Sequence, residues 1–178
     1  TAMAVWLFQR LELPTSYSVG AKLSFGPMGQ YDSTGQYFIY EADEYDRNFL
    51  SFSPFLSIIT GIDWDHPDIY PTREEYNRAF RDFLAKSQHA VVWQEDLRRL
   101  GLKQSASFTV ISANDPQIQT ISLPGKVNRE DAYLVATAIA KITQKPIAEL
   151  INHLNFFPGL SRRFEEILPG LFSDYAHT

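Results

Sequence analysis

Two short apolar runs in this chain end in residues that bind cations. Tyr37–Tyr40 leads into Glu41-Ala42-Asp43-Glu44-Tyr45-Asp46, and Phe55–Ile62 leads into Asp63-Trp64-Asp65-His66. Apolar, β-branched and aromatic runs of this length read as buried strands of a parallel sheet. In open α/β sheets, ligands bind beyond the carboxyl ends of the strands. Glu41 and His66 are therefore candidates for a common rim, and carboxylates gathered there suit a hard divalent cation and the phosphates it carries. The side chains alone leave a plainer reading open, in which Glu41 caps a turn and His66 is a hydrogen-bonded rim histidine. Imidazole suits zinc or manganese better than magnesium. Asp65 stays undecided between a supporting and a solvated carboxylate, while Asp43, Glu44 and Asp46 read as a solvated turn.

The elements that must position these residues alternate between helix and strand. Thr1–Glu12 has helical apolar spacing (Val5, Leu7, Phe8, Leu11) and stops before Pro14. Tyr17–Val19 is a short strand, and the glycine-rich residues 20–36 form a turn-rich connection. Thr72-Arg73-Glu74-Glu75 is a capping box that opens a helix through Lys86. Ala90–Trp93 and Phe108–Ile111 read as strands, with a short helix over Asp96–Leu100 ended by Gly101. Ile118–Leu123 reads as a weaker strand. Asn128 is expected to cap an alanine-rich helix to about Ile142, with Asp131 suiting its positive end. Pro146 opens a further helix to about Asn155, and Phe164–Leu168 and Leu171–Tyr175 are final strands around Pro169-Gly170. This alternation implies an α/β fold with a mainly parallel sheet flanked by helices, in one domain. Arg162 and Arg163 form either a solvated pair at a strand entrance or a ligand for phosphate oxygens. Lys126 reads as a surface lysine.

Composition narrows the partners. At 178 residues and 44% hydrophobic, with 13 Phe and 9 Tyr, the chain can build a substantial core. A net charge of −5 with no basic cluster longer than two residues argues against nucleic acid or an anionic membrane. There is no cysteine, so neither disulfides nor thiolate metal sites are available. No apolar run reaches the roughly 18 residues of a membrane span. The apolar stretch at Thr1–Leu13 lacks the charged start and cleavage pattern of a signal peptide, and a cytoplasmic location fits. The start at Thr1 without a Met leads us to expect further residues upstream in a parent protein.

Four ordered segments resemble the central ATPase domain of the Mur ligase family. They are Glu41-Ala42-Asp43-Glu44-Tyr45-Asp46; the strand ending in Thr60 with Asp65-His66-Pro67-Asp68-Ile69-Tyr70; Pro124-Gly125-Lys126-Val127-Asn128; and Ser161-Arg162-Arg163-Phe164-Glu165. Asp174-Tyr175-Ala176-His177-Thr178 resembles the opening of that family's third domain. The resemblance implies a phosphate-loop-type α/β domain over residues 1–172, with 173–178 beginning a hinge. The loop itself, G-x-x-x-x-G-K-[ST], occurs nowhere in the chain, and Thr1-Ala2-Met3 resembles the tail of that motif. A loop before Thr1 and a domain after Thr178 are accordingly expected in the parent, and this stretch alone is expected to be inactive.

The same resemblance implies ATP and Mg2+ as cofactors, with Mn2+ as an alternative. It makes Glu41 and His66 metal ligands in the catalytic centre, and puts Asn128, Asp131, Arg163 and Asp174 on the nucleotide, Arg163 at its phosphates. The implied substrates are UDP-N-acetylmuramate and L-alanine, joined during cytoplasmic peptidoglycan precursor synthesis. The sequence departs from the family pattern at four places: Val127 stands for a His, Asp131 for an Asn, Gly61 for an Asn and Ser173 for an Asp. Rival expectations are another Mur-type amide ligase, of the murein-tripeptide recycling or folylpolyglutamate kind, and a degenerate nucleotide- or metal-binding module without catalysis.

Overall fold

Periodic apolar spacing is converted into five helices and eight strands over residues 1–174, the part of the chain that the computed structural model describes. In chain order these are α1 (Ala2–Arg10), β1 (Thr15–Ser18), β2 (Gly29–Gln30), β3 (Tyr37–Tyr40), β4 (Leu56–Ile58), α2 (Arg73–Lys86) and β5 (His89–Trp93). Then follow α3 (Gln94–Arg99), β6 (Phe108–Ile111), α4 (Lys126–Thr143), α5 (Ile147–Leu154), β7 (Glu165–Leu168) and β8 (Leu171–Ser173). The chain divides into two compact units, one holding Thr1–Glu41 and the residues from Gln119 onward, the other Ala42–Ile118. Tyr175, expected to close the last strand, and the hinge residues through Thr178 lie outside the described residues.

In the first unit β1 pairs in parallel with β3 (Thr15 opposite Tyr37 through Ser18 opposite Tyr40) and antiparallel with β2. Thr15 is buried, and its hydroxyl donates to the Tyr37 carbonyl at 2.9 Å, so this buried polar group is satisfied inside the ladder. Helix α1 buries Ala2 to Val5, Leu7 and Phe8. It packs with α4, whose interior run Ala132 to Ile139 is buried, and with α5 through Leu150, Ile151 and Leu154. The alanines of α4 let the helix backbones approach, and each fully buried Leu or Phe contributes about 1.5–3 kcal/mol. Trp6 ties α1 to α5 by donating its indole N–H to the His153 carbonyl at 3.0 Å.

In the second unit β4, β5 and β6 form a parallel sheet with β5 central. Ala90 to Trp93 of β5 are buried throughout, the continuous apolar pattern of a strand covered on both faces. The core gathers Phe49, Ile62, Tyr70, Phe80, Val92 and Leu100 with their neighbours. Helix α2 begins as expected. The Thr72 hydroxyl accepts from Glu75 N–H at 3.2 Å, and the Glu75 carboxylate reaches back to that hydroxyl at 3.3 Å. Thr72→Ala should therefore lower the stability of this unit by about 1 kcal/mol, read as a shift of the urea midpoint without a change in slope.

Several elements differ from their sequence expectation. Ile118–Leu123 forms no strand; Pro116–Thr120 is a 3₁₀ segment instead. The Asp115 carboxylate accepts from Gln117 N–H at 3.0 Å and its carbonyl from Ile118 N–H at 3.1 Å, closing a turn where a strand would need open donors. Helix α4 starts two residues before Asn128, with Gly125 and not Asn128 at its cap position. The strand expected over Phe55–Ile62 pairs only from Leu56 to Ile58. The polar turn expected at Asp43–Asn48 is largely a 3₁₀ segment, Tyr45–Ser51, interrupted by Asp46 and Arg47 in left-handed backbone. The mainly parallel sheet is present as two three-stranded pieces, accompanied by the small β7–β8 hairpin.

Candidate functional site

Four of the expected site residues, Asn128, Asp131, Arg163 and Asp174, line a single cavity of about 1130 Å³ within the first unit. Its floor is the N-terminal end of α4. The chain enters that helix at Gly125, whose φ of +81° belongs to a region L side chains rarely adopt. Asn128, in the first turn, donates its Nδ2–H to the Pro124 carbonyl at 2.8 Å, which fixes the side-chain amide and leaves its oxygen as the acceptor. One turn further on, burial pushes the Asp131 carboxyl up to about 6, and the neighbouring Glu130 adds to the rise.

Arg163 reaches this cavity from a tight turn. Its own N–H donates to the Leu160 carbonyl at 3.2 Å, while Glu165 accepts from Ser161 Oγ at 3.0 Å and Arg162 N–H at 2.7 Å. Arg162 and Phe164, on either side, hold left-handed backbone at φ +59° and +51°. The Phe164 ring stacks on Phe172 of β8 at 4.7 Å and lies over Gly125. Lys22, which the sequence reading did not single out, lines the same cavity, as does Lys126, itself loosely paired with Glu130 at 3.6 Å. The lining thus carries three cations, Lys22, Lys126 and Arg163, beside four carboxylates, Asp131, Glu165, Glu166 and Asp174, and the positive end of an 18-residue helix adds a local anion-facing element.

Glu41 stands directly after β3. Its N–H donates to the Ser18 carbonyl at 3.2 Å, extending the parallel ladder by one bond. Its carboxylate turns back to accept from Gly20 N–H at 3.2 Å. A Cβ on residue 20 would come within 2.8 Å of Glu41 Oε1, so a glycine there gives the carboxylate its room.

His66 belongs to the second unit and is held in left-handed backbone at φ +55°. Its N–H donates to Asp65 Oδ1 at 2.7 Å, and its carbonyl accepts from Ile69 and Tyr70 N–H at 3.0 and 2.8 Å. The imidazole Nε2 sits 3.4 Å from Glu44 Oε1 and 3.9 Å from Asp65 Oδ2, with Tyr45 edge-on at 5.1 Å. Glu44 is thus a partner of His66, a role the sequence reading missed when it assigned Glu44 to a solvated turn.

Among the described residues no group of three or more His, Asp or Glu side chains converges to hold a metal ion. Glu41 offers a hard carboxylate oxygen and His66 an imidazole flanked by carboxylates, each as a single donor from its own unit. The Glu41 carboxylate fits magnesium, which keeps several waters and takes one or two carboxylates plus substrate phosphates; the His66 imidazole is a donor better matched to manganese or zinc.

No protein-family model matches the chain. It is 30% identical over 193 aligned positions to the UDP-N-acetylmuramate–L-alanine ligase of Lactobacillus johnsonii, covering 92% of this chain and 43% of that protein. It is 31% identical over 181 positions to the ligase of the same name from Streptococcus suis, covering 84% and 40%. The chain spans less than half the length of these relatives. Among solved structures, the UDP-N-acetylmuramate–alanine ligase of Thermotoga maritima superposes with a TM-score of 0.75 at 21% identity, over 99% of this chain and 47% of that one. The UDP-N-acetylmuramate:L-alanyl-γ-D-glutamyl-meso-diaminopimelate ligase of Neisseria meningitides superposes with a TM-score of 0.71 at 18% identity, over 90% and 63%.

Proposed function

Because this chain belongs to the Mur ligase family, we propose that it is the central α/β domain of an ATP-dependent, amide-forming ligase of cytoplasmic peptidoglycan precursor synthesis. UDP-N-acetylmuramate and L-alanine are the proposed substrates, by likeness to relatives that carry those names. Residues 1–172 form the domain in this reading, and 173–178 begin the passage to a further one. The observation that carries the proposal is the convergence of Asn128, Asp131, Arg163 and Asp174 on one cavity, lined by both cations and carboxylates.

In the reaction, the γ-phosphoryl group of ATP passes to the substrate carboxylate, giving an acyl phosphate, and the amine of the amino acid then displaces phosphate to form the amide. Arg163 and the N-terminal end of α4 stabilise charge on the phosphates, and Asn128 presents an acceptor oxygen to the exocyclic amine of the base. Glu41 and His66 are the residues that would hold magnesium. Bound magnesium would neutralise charge on the transferring phosphoryl group. Closure of the flanking parts of the ligase would hold the amine in line and exclude water.

One observation favours a second reading, a nucleotide-binding module without ligase activity. Asp131 is a partly buried carboxylate at a position where the family pattern has an amide, and Val127 is exposed where that pattern has a histidine. Calorimetric titration with Mg2+ and ATP separates the two readings. In the full-length parent, Glu41→Ala, His66→Ala and Arg163→Ala should each weaken binding about tenfold, since a charge-assisted contact contributes about 1.5–3 kcal/mol. Wild-type binding that is indifferent to Glu41 and His66, without release of phosphate, would favour the module. A parent that ignores ATP altogether would end both.

A further inference from the structure

The histidine loop and the acidic turn of the second unit are joined through one residue that no part of the proposed chemistry uses. Tyr70 is fully buried. Its N–H donates to the His66 carbonyl at 2.8 Å, and its hydroxyl donates to the Glu44 carbonyl at 2.6 Å. Its own carbonyl accepts from the Trp64 indole N–H at 2.9 Å. The ring packs edge-on against Tyr76 at 5.0 Å, and the Arg47 guanidinium lies 5.4 Å from its centre. Tyr70 therefore holds the main chain on both sides of the pair whose side chains meet as His66 Nε2 and Glu44 Oε1, 3.4 Å apart.

Both segments need such a restraint. His66, Asp46 and Arg47 all occupy left-handed backbone, a conformation non-glycine residues keep only where the surroundings hold them in it. The histidine loop is fastened at its other end as well: Trp93 donates its indole N–H to the Thr60 carbonyl at 3.2 Å, and Arg99 donates to the Ile62 carbonyl. Burial raises the Tyr70 phenol above its ordinary range, offset in part by Arg47 and reinforced by Glu44, so the hydroxyl remains a donor at neutral pH.

We propose that Tyr70 is a positioning residue: its hydroxyl bond to the Glu44 carbonyl sets the approach of the Glu44 carboxylate to the His66 imidazole, and so presents His66 already oriented. The metal-facing consequence rests on His66 being a metal ligand; the positioning itself does not. Tyr70→Phe keeps the ring and its packing and removes only the hydroxyl, and Tyr76→Phe removes a hydroxyl from the neighbouring buried ring as a control.

The first measurement is NMR of the His66 imidazole in the metal-free chain. Tyr70→Phe should shift or broaden those resonances, and Tyr76→Phe, whose phenol senses Glu44 and Asp65 without bonding the Glu44 carbonyl, should move them much less. The second is the Mg2+ dependence of the full-length ligase at fixed ATP. Tyr70→Phe should raise the half-saturating Mg2+ concentration about three- to tenfold, as expected for loss of one hydrogen bond, with a smaller change in kcat at saturating Mg2+. If Tyr70→Phe lowers Tm while the His66 resonances stay at their wild-type positions, Tyr70 is packing alone and the proposal falls. If His66→Ala leaves Mg2+ dependence unchanged, the ligand role of His66 fails, and a resonance shift confined to Tyr70→Phe would still support the positioning.

Discussion

Replacing Asp131 by asparagine is expected to stabilise the protein by roughly 3 kcal/mol at pH 7.5, with the gain fading as the pH falls toward 4. The Asp131 carboxyl is pushed up to about 6, chiefly by burial, against an ordinary value of 3.8. A pKa raised on folding means that the folded state binds the proton more tightly than the unfolded chain. Between pH 4 and 6 the native state therefore holds more protons, and stability falls as the pH rises through that window. About two pKa units at 1.36 kcal/mol each give the magnitude. Asparagine has nearly the same shape and no charge to bury, so its stability should be flat across the window. Urea unfolding of both proteins at pH 4, 5, 6 and 7.5 reads this directly. Parallel stability curves would show that the buried carboxylate costs nothing. The same substitution restores the amide of the family pattern, so a concurrent rise in ATP affinity would connect this burial with the nucleotide.

Elements with a local chemical cause were legible in the sequence. The Thr72–Glu75 capping box starts α2 where expected because its hydrogen bonds lie within one turn. β5 reads correctly because four successive buried residues have few alternatives to a covered strand. Failures occurred where a distant or conformational factor decides. Nothing local in Ile118–Leu123 reveals that the Ser122 N–H is taken by the Asn155 side chain, 33 positions away. The start of α4 was misplaced because Asn128 is a good cap by type, while the glycine at 125 could enter the helix at positive φ three residues earlier. The two-residue strand β2 is too short for alternation to show at all.

The candidate site divides in the same way. The family resemblance singled out Asn128, Asp131, Arg163 and Asp174, and all four line one cavity. Lys22 escaped because a single lysine in a glycine-rich connection carries no periodic or motif signal. Glu44 escaped because an acidic side chain beside Asp43 and Asp46 reads as solvated. Only the tertiary bond from Tyr70 to its carbonyl turns that segment toward His66. Tyr70 itself stood in a recognised motif, yet its part depends on a contact 26 residues away in sequence.

Gly125→Ala should cost about 1–3 kcal/mol of stability and weaken ATP binding by up to about tenfold, two effects with one geometric origin. At φ +81° and ψ 142° an L residue is strained, by about 1–3 kcal/mol. The added Cβ would also lie 3.2 Å from Phe164 Cδ1, so that exposed ring, stacked on Phe172 at 4.7 Å, must give way by a few tenths of an ångström. Relief requires the Phe164 ring to swing aside, and Arg163 precedes it in the same turn. Losing the phosphate contact proposed for Arg163 would remove about 1.5 kcal/mol of binding, the tenfold expected for Arg163→Ala. The double variant Gly125→Ala/Phe164→Leu separates the two contributions. If the ring contact matters, the pair should be less destabilised than the single changes add up to, while the backbone strain persists. Strict additivity would assign the whole effect to the backbone at residue 125. Gly125→Ala within about 0.5 kcal/mol of wild type would mean that neither the positive φ nor the Phe164 contact constrains this entry to α4.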